Sequence, residues 1–174
     1  SNFQYKEIPK LSSKGWCEIK LDSLIDEVNR GNVGNLGKIK KGNCPIVTAA
    51  ASNQGVAFLG DIAYAYTDGI TISLNGVGTR YSAYHDYPFN LNSDCGKIKF
   101  KINLNKFVLI FISTAINKNQ EKFTYAYKAN ETRIKRQTIL LPCVDGKIDY
   151  EYMEQYIKNI MYKQYKRYLD VLEG

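Results

Sequence analysis

The apolar positions of the chain follow two different periods, and the first regular segment has the helical one. In "LDSLIDEVNRGN" the apolar residues recur every three or four positions, at Leu21, Leu24, Ile25 and Val28. This spacing is typical of one face of an amphipathic helix. Asp22 is a suitable N-terminal cap, and Gly31 is a suitable stop. The pattern therefore predicts a helix that ends near Gly31, followed by a glycine-rich loop over 31–42.

The next segments have the period of strands. "PIVTAA" and "GVAFLG" predict two short strands around "SNQG", whose Asn53 and Gly55 suit a turn. "ITISLNG" alternates cleanly between apolar and polar residues, which predicts a half-buried strand. "GVGTRYSAYHDYPF" predicts a loop, because Gly76 and Gly78 allow the backbone to turn sharply.

The segment "NKFVLIFISTAINKN" leaves two predictions open. Its β-branched residues favour a strand, whereas its length and its lack of internal Gly or Pro permit a buried helix. Further along, "KFTYAYK" predicts a strand with Phe123, Tyr125 and Tyr127 on one face. The apolar strand "TILLP" follows and is expected to end at Pro142, and "VDGKID" is expected to form a turn.

The end of the chain predicts a long helix from about Asp149 onward. Asp149 can cap it, and its apolar or aromatic positions form one stripe. At about 1.5 Å per residue the helix is roughly 35 Å long, more than a domain of this size needs for its own core. We expect it to pack against something beyond the domain; the alternative is a terminal helix folded back on its own domain.

Length and composition are those of an ordinary globular domain. The 174 residues, of which 44% are hydrophobic, suffice for one domain with a real core. The longest apolar run, Phe107 to Ile112, is too short to cross a bilayer, and no secretion signal opens the chain, so a cytoplasmic location is expected. The four cysteines lie far apart with no CxxC pair, which predicts buried, reduced thiols rather than a zinc site or a disulfide framework.

The positive charge is unevenly distributed. The net charge is +7, which favours a polyanionic partner without identifying it. Six basic residues stand close together against Glu121 and Glu131: Lys118, Lys122, Lys128, Arg133, Lys135 and Arg136. A smaller cluster of Lys38, Lys40 and Lys41 lies in the glycine-rich stretch. From charge alone, a solvated face and a binding surface are equally well supported.

Catalytic chemistry has few candidates in this chain. His85 is the single histidine, and neither a GxSxG elbow nor a recognisable cysteine nucleophile accompanies it. Glu18 in "EIK" resembles the end of a metal-dependent nuclease motif, but it lacks a convincing acidic partner upstream. "GVG" at 76–78 matches no phosphate-binding fingerprint. The sequence therefore predicts no catalytic group, no metal site and no cofactor.

Four segments in a fixed order are more specific. They are "PIVTAAASNQGVAFLG", "GVGTRYSAYHDYPFNLNSD", "KFTYAYKANETRIKRQTILLP" and "VDGKIDYEYMEQYIKNI". Their order resembles the target recognition domain of Type I restriction–modification specificity subunits and of related Type II half-length specificity modules. The resemblance extends from Trp16 to about Ile160.

This resemblance implies a compact α+β domain of the DNA methylase specificity type, with a small mixed or antiparallel sheet and a long C-terminal helix. Such a domain reads one half of a bipartite double-stranded DNA site without catalysing a reaction itself. Its terminal helix belongs to a spacer that packs against a second recognition unit and docks methyltransferase and restriction subunits. The resemblance also favours a helix over 105–117. We expect a recognition domain over 1–148 and a spacer or dimerisation helix over 149–174, as part of a half-length subunit that pairs with a second copy or of a longer protein.

Candidate site residues follow from residue type and position. The residues expected to meet DNA phosphates are Lys122, Lys128, Arg133, Lys135 and Arg136. Those expected to contact base edges are Asn53, Gln54, Arg80 and Tyr81. Those expected to pair the terminal helices are Met153, Ile157, Ile160, Met161, Tyr165, Tyr168 and Leu172. Two alternatives stay open: a small metal-dependent nuclease that uses Glu18, and an RNA-binding module.

Overall fold

The computed structural model describes residues 4–50, 52–74, 81–119 and 131–173. Most of these residues lie in strands and helices. The strands are β1 (Gly15–Lys20), β2 (Ile25–Arg30), β3 (Lys41–Val47), β4 (Val56–Gly60), β5 (Gly69–Ser73), β6 (Ser82–His85), β7 (Asn90–Leu91), β8 (Cys95–Phe100), β9 (Thr138–Val144) and β10 (Lys147–Ile148). The helices are α1 (Lys106–Lys118), α2 (Glu131–Lys135) and α3 (Tyr150–Glu173).

The described strands form three small sheets. The central sheet has the order β2-β8-β5-β6, the terminal sheet the order β1-β9-β10, and the hairpin sheet the order β4-β3-β7. Neighbouring strands are antiparallel except for the parallel pair of β3 and β7. Together with the long α3, this mixed arrangement confirms the predicted α+β class.

The main core lies where α1 meets the central sheet, the terminal sheet and the first half of α3. Ile112 of α1, Ile72 of β5, Leu141 of β9 and Met153 of α3 are each completely buried there. Asn105 caps α1, since its Oδ1 accepts hydrogen bonds from the N–H groups of Phe107 and Val108 at 3.1 Å each. The helical reading of this β-branched segment is thereby confirmed.

The helix predicted from Leu21 onward is wrong. Residues Leu21–Ser23 form one 3-10 turn, and the chain then continues as β2, which pairs with β8. The ladder has a β-bulge between Ile25 and Glu27, so the alternation of faces is interrupted. Ile25 and Val28 consequently both face the core although they stand three residues apart, which is the spacing that imitates a helix.

Two predictions need correction: the half-buried strand in "ITISLNG" and the loop in "GVGTRYSAYHDYPF". β5 is buried at all five positions rather than at every second one. Ile70 and Ile72 join the main core, whereas Thr71 lies against His85. The His85 ring contacts Phe89 of a second apolar cluster in a tilted arrangement, with ring centres 4.9 Å apart. The segment predicted as a loop contains β6, which pairs with β5 and buries His85 completely.

The terminal sheet departs from prediction at its end. The predicted stop at Pro142 is wrong, because β9 continues to Val144 with Pro142 opposite Trp16. The Pro142 carbonyl accepts a hydrogen bond from the Asp149 N–H at 2.9 Å. The predicted turn is confirmed, since Asp145 and Gly146 adopt positive φ angles of 51° and 74°. The strand predicted over 123–127 lies outside the described residues.

Two of the four cysteines are joined, which contradicts the prediction of four reduced thiols. Cys17 of β1 and Cys143 of β9 form a disulfide between adjacent strands, with Cα atoms 5.9 Å apart. A separation of 126 residues gives no indication of this neighbourhood in the sequence. Cys44 and Cys95 are free and buried.

The N-terminal segment, residues 4–9, lies along the first half of α3. Asp149 caps this helix, because its Oδ1 accepts from the Tyr152 N–H at 3.0 Å while its Oδ2 pairs with Lys14 at 2.7 Å. The hydroxyl of Tyr152 donates to the carbonyl of Pro9 at 2.7 Å, and the amide of Asn159 pairs with the backbone of Lys6. Among the described residues, no helix combines the length and the apolar character that spanning a membrane requires.

Candidate nucleic-acid interface

The turn between β3 and β4 is tight and presents two polar side chains. Asn53, Gln54 and Gly55 have positive φ angles of 49°, 54° and 84°, and a Cβ added to Gly55 would lie 2.8 Å from the carbonyl oxygen of Thr48. The Thr48 N–H closes the turn by donating to the Gly55 carbonyl at 2.8 Å. Asn53 and Gln54 are exposed, so a rigid backbone holds both amides toward solvent.

The half-buried Tyr81 leads into β6 and is fixed by Ser73. Its N–H donates to Ser73 Oγ at 2.8 Å, and its carbonyl accepts from the Ser73 N–H at 2.9 Å. The turn of Asn53 and Gln54 contacts β6, so the structure brings these predicted base-contacting residues to neighbouring elements. Arg80 lies outside the described residues.

The C-terminal end of α1 contacts the beginnings of two strands. Asn117 pairs with the backbone of Ser82, the first residue of β6, and Asn119 donates from Nδ2 to the carbonyl of Thr138, the first residue of β9. Neither contact can be predicted from the sequence, because both asparagines look like ordinary residues of a helix end. The start of β6 and the start of β9 therefore lie on either side of this helix end.

The basic residues before β9 differ in whether their charged groups are bound by the domain or open to solvent. The Lys135 ammonium bonds to Glu131 Oε1 at 2.9 Å and to the carbonyl of Asp26, and the hydrogen bond with Glu131 is the main reason that its pKa is raised. Arg133 is half-buried, whereas Arg136 is exposed. Arg136 is thus the described member of this predicted set that presents its charge most openly, while Lys122 and Lys128 lie outside the described residues.

A polar depression of about 360 Å³ adjoins Arg136. It is lined by Lys20, Asp22, Glu131, Thr132, Lys135 and Arg136. Lys20 is exposed at the end of β1, where it stands opposite Thr138 of β9. Its position beside Arg136 depends on strand pairing, so it was not among the predicted contact residues.

The second basic cluster lies elsewhere. Lys38, Lys40 and Lys41 are exposed at the start of β3, at the far end of the hairpin from Asn53 and Gln54. At about 3.3 Å per residue, a strand of this length separates the two ends by roughly 20 Å. This cluster and the turn therefore lie at opposite ends of the β3–β4 hairpin.

The two residues considered for catalysis are in different environments. His85 Nε2 lies 2.8 Å from Thr71 Oγ1 and its Nδ1 lies 3.1 Å from the Tyr87 hydroxyl. Burial lowers the pKa of His85 to about 4, so the buried ring is neutral near pH 7. Glu18 is exposed on β1. Within the described ranges no three His, Cys, Asp or Glu side chains are grouped as metal ligands.

The predicted apolar stripe of α3 divides into two parts. Met153 and Ile157 belong to the main core, with 0% and 7% of their surface exposed, and Met161 packs against its edge. Farther along, Tyr165, Tyr168 and Leu172 are 60%, 60% and 64% exposed. Between the two parts, Ile160 lines an apolar groove of about 490 Å³ together with Trp16, Phe111, Leu140 and Tyr156.

Comparison with known proteins identifies the family. The family model described as the Type I restriction modification DNA specificity domain matches residues 13–169. The chain belongs to this family. The specificity domain is also 34% identical over 154 residues to the Type II restriction enzyme BgcI specificity subunit S.BcgI of Heyndrickxia coagulans, across 87% of the chain and 45% of the relative.

Solved structures share the fold of this specificity domain at low sequence identity. The S subunit of the Type-I restriction-modification system from M. genitalium superposes with a TM-score of 0.64 at 13% identity, over 98% of the chain and 44% of that protein. The HsdS subunit from Thermoanaerobacter tengcongensis superposes with a TM-score of 0.53 at 12% identity, over 89% of the chain and 39% of that protein. The specificity domain thus spans less than half the length of each of these relatives, and the predicted resemblance is confirmed.

Proposed function

We propose that this specificity domain recognises one half of a bipartite site in double-stranded DNA and does not itself catalyse a reaction. The observation that carries the proposal is the family membership of residues 13–169. The relatives are named as specificity subunits of restriction enzymes or restriction–modification systems. In this proposal the chain acts with methyltransferase and restriction subunits, which supply the chemistry.

Phosphate contact is assigned to the basic residues near the start of β9. Arg136 is exposed, and Lys20 stands beside it across the polar depression. Lys135 forms an ion pair with Glu131, and Arg133 also interacts with other groups of the protein. Both therefore contribute less to phosphate contact. Lys122 and Lys128, which precede this region in the chain, are assigned to the same role from the sequence. Contacts of this kind give affinity for any sequence and make it depend on salt.

Base contact is assigned to the turn of Asn53 and Gln54 and to Tyr81, with Arg80 immediately before it in the chain. Amide side chains suit adenine, arginine suits guanine, and a tyrosine ring offers a flat surface with a polar tip. The support is the exposure of both amides on a closed turn and the contact of that turn with β6.

The distal half of α3 is assigned to pairing with a second recognition unit. Tyr165, Tyr168 and Leu172 are largely exposed on the distal part of this helix. In this assignment residues 149–174 act as the spacer and residues 1–148 as the recognition domain, although Met153 and Ile157 at the root of α3 are part of the domain's core.

The proposal is tested by selecting duplexes from a randomised library and measuring their affinity against random duplex and single-stranded RNA. A preference for selected duplex DNA that weakens as salt rises is expected; equal affinity for all duplexes, or tighter binding of RNA, would contradict it. Arg136→Ala should weaken binding to every duplex alike and lower the salt slope by about one unit. Lys166→Ala, an exposed charge on distal α3, serves as the matched control.

Gln54→Ala tests base contact without a change in backbone strain. Gln54 has a φ of 54°, and glutamine and alanine bear a similar cost there. The variant should lose roughly 1–3 kcal/mol on the selected duplex and little on random DNA. Equal losses on both would assign Gln54 to phosphate contact instead.

A further inference from the structure

The last turn of α1 caps one end of the outer strand of the central sheet. β6 is the outer strand of that sheet, and Ser82 is its first residue. The Ser82 N–H donates to Asn117 Oδ1 at 2.7 Å, and Asn117 Nδ2 donates to the Ser82 carbonyl at 2.8 Å. One side chain thereby satisfies both backbone groups that a further strand would otherwise bond.

Two residues later, the same helix end holds the terminal sheet. Asn119 donates from Nδ2 to the carbonyl of Thr138, the first residue of β9. The Asn119 N–H meanwhile donates to the Ile116 carbonyl at 3.2 Å, so the residue ends α1 while it contacts β9. Asn117 and Asn119 thus connect the first residues of two strands that belong to different sheets.

Both strands begin where segments assigned to DNA contact end. Tyr81 directly precedes Ser82, and Arg136 stands two residues before Thr138. The distance between a base contact and a phosphate contact therefore depends on how the two strand starts are held relative to each other. Phosphate contacts fix the register of a protein on the duplex, and base contacts then read the sequence. A base contact must be placed within about 0.5 Å to keep its hydrogen-bond geometry.

We propose that Asn117 is a positioning residue for sequence discrimination: it fixes Tyr81 and β6 relative to the phosphate-contacting residues before β9. The inference rests on the proposed function and deepens it. Asn117 touches no DNA in this account, and its effect reaches the DNA through the backbone of Ser82. Loss of Asn117 should therefore lower the affinity ratio between selected and random duplex DNA, while the affinity that comes from phosphate contacts stays unchanged.

The test compares Asn117→Leu with Thr114→Ala. Thr114 is exposed on the same helix, and its hydroxyl bonds only to the Ile110 carbonyl of that helix among the described residues, at 3.1 Å. For each protein the affinity ratio between a selected duplex and random duplex is measured, together with the salt slope. Asn117→Leu should lower the ratio about tenfold or more with the salt slope and the random-duplex affinity unchanged. Thr114→Ala should match the wild type.

An unchanged ratio in Asn117→Leu, or an equal loss on both duplexes, would overturn the inference. If the leucine variant does not fold, Asn117→Asp decides, because it keeps the shape of the side chain but replaces the donor that meets the Ser82 carbonyl. A preserved ratio in that variant would overturn the inference as well. If the proposed function itself were wrong, the wild-type chain would already bind selected and random duplexes with equal affinity. That result can be distinguished from a failure of this inference.

Discussion

Asn159 of α3 and Lys6 of the N-terminal segment are joined by two hydrogen bonds of opposite direction. Asn159 Nδ2 donates to the Lys6 carbonyl at 2.7 Å, and the Lys6 N–H donates to Asn159 Oδ1 at 3.2 Å. Asn117 bonds to both backbone groups of Ser82 in the same way, so within the described residues two asparagine amides on helices each hold a backbone segment. Asn159 is buried in this contact.

Replacing Asn159 by leucine should destabilise the domain by about 1–3 kcal/mol, because the backbone groups of Lys6 would lose their partner in a partly buried place. Urea unfolding measures the change. Gln164→Leu, the same kind of replacement at an exposed position of α3, is the control and should stay within about 0.5 kcal/mol of the wild type. Equal effects in the two variants would show that the segment is not held by Asn159.

Stability should fall as the pH is lowered from 7 to 5, and His85 is the cause we expect. Burial lowers its pKa from 6.5 to about 4, so the unfolded chain binds a proton in this range that the folded chain does not. Its contribution is fully present above pH 6.5 and is lost as the pH falls toward 4. The expected loss by pH 5 is about 2 kcal/mol, measured by urea unfolding at several pH values.

His85→Gln is the matched variant for this pH dependence, and its stability should change little between pH 7 and 5. The residues that contact the ring stay uncharged, since burial also raises the pKa of the Tyr87 hydroxyl. Burial raises the pKa of Asp149, but hydrogen bonds from Lys14 and from the Tyr152 N–H outweigh it and bring that pKa below its ordinary value of 3.8. The stabilising contribution of Asp149 is therefore lost only at lower pH. A persistent slope in His85→Gln would assign the pH dependence to other groups.

Reduction of the Cys17–Cys143 disulfide should lower the free energy of unfolding by about 2–4 kcal/mol, because the bond closes a long loop in the unfolded chain. Thermal unfolding with and without a reducing agent measures the loss. A double variant, Cys17→Ala with Cys143→Ala, should not respond to the reducing agent.

Alkylation of the folded protein adds a second measurement: after reduction the partly exposed Cys17 and Cys143 should react, whereas the buried Cys44 and Cys95 should not. Four thiols that react equally fast would contradict this arrangement.

The wild-type chain should associate through distal α3, since burying each of its large side chains is worth roughly 1.5–3 kcal/mol. Light scattering should give a mass that rises with concentration toward two chains. Tyr168→Glu with Leu172→Glu should return it to one. Lys38→Glu changes the net charge by the same amount at an exposed position outside α3 and is the control. A monomer of equal thermal stability in every case would contradict pairing through this helix.

Local patterns predicted those elements whose residues contact each other locally. The turn at Asn53 and the cap of α3 at Asp149 depend on neighbours within a few residues, so their sequences carry the information. For α1 the local pattern left strand and helix open, and the family resemblance favoured the helix that the structure has. β2 was misread because a β-bulge between Ile25 and Glu27 places apolar residues at a helical spacing. A bulge depends on the partner strand, which a period along the chain does not reveal.

The sequence offers candidate contact residues by residue type, but it does not show which of their side chains are bound by the rest of the domain. Nothing near Lys135 in the sequence indicates that the carbonyl of Asp26, which is 109 residues away, accepts a hydrogen bond from its ammonium group. The positions of Lys20 and Asn117 likewise depend on tertiary contacts with Thr138 and Ser82. The order of the family's segments indicated the family, and tertiary contacts decide which basic side chains are exposed.

The first half of α3 is packed against the domain and its distal half is exposed, so a small rotation at the packed end moves the exposed end much farther. Thirteen residues of α3, 161–173, follow Ile160. At about 1.5 Å per residue this part of the helix is roughly 20 Å long. A tilt of about 5° at the root would displace the tip by almost 2 Å over an arm of this length. Lys14, Pro9 and Lys6 hold the root from three successive places on the helix, at Asp149, Tyr152 and Asn159. Together with the core contacts of Met153 and Ile157, the N-terminal segment therefore limits the angle at which anything attached to the far end of α3 is aligned.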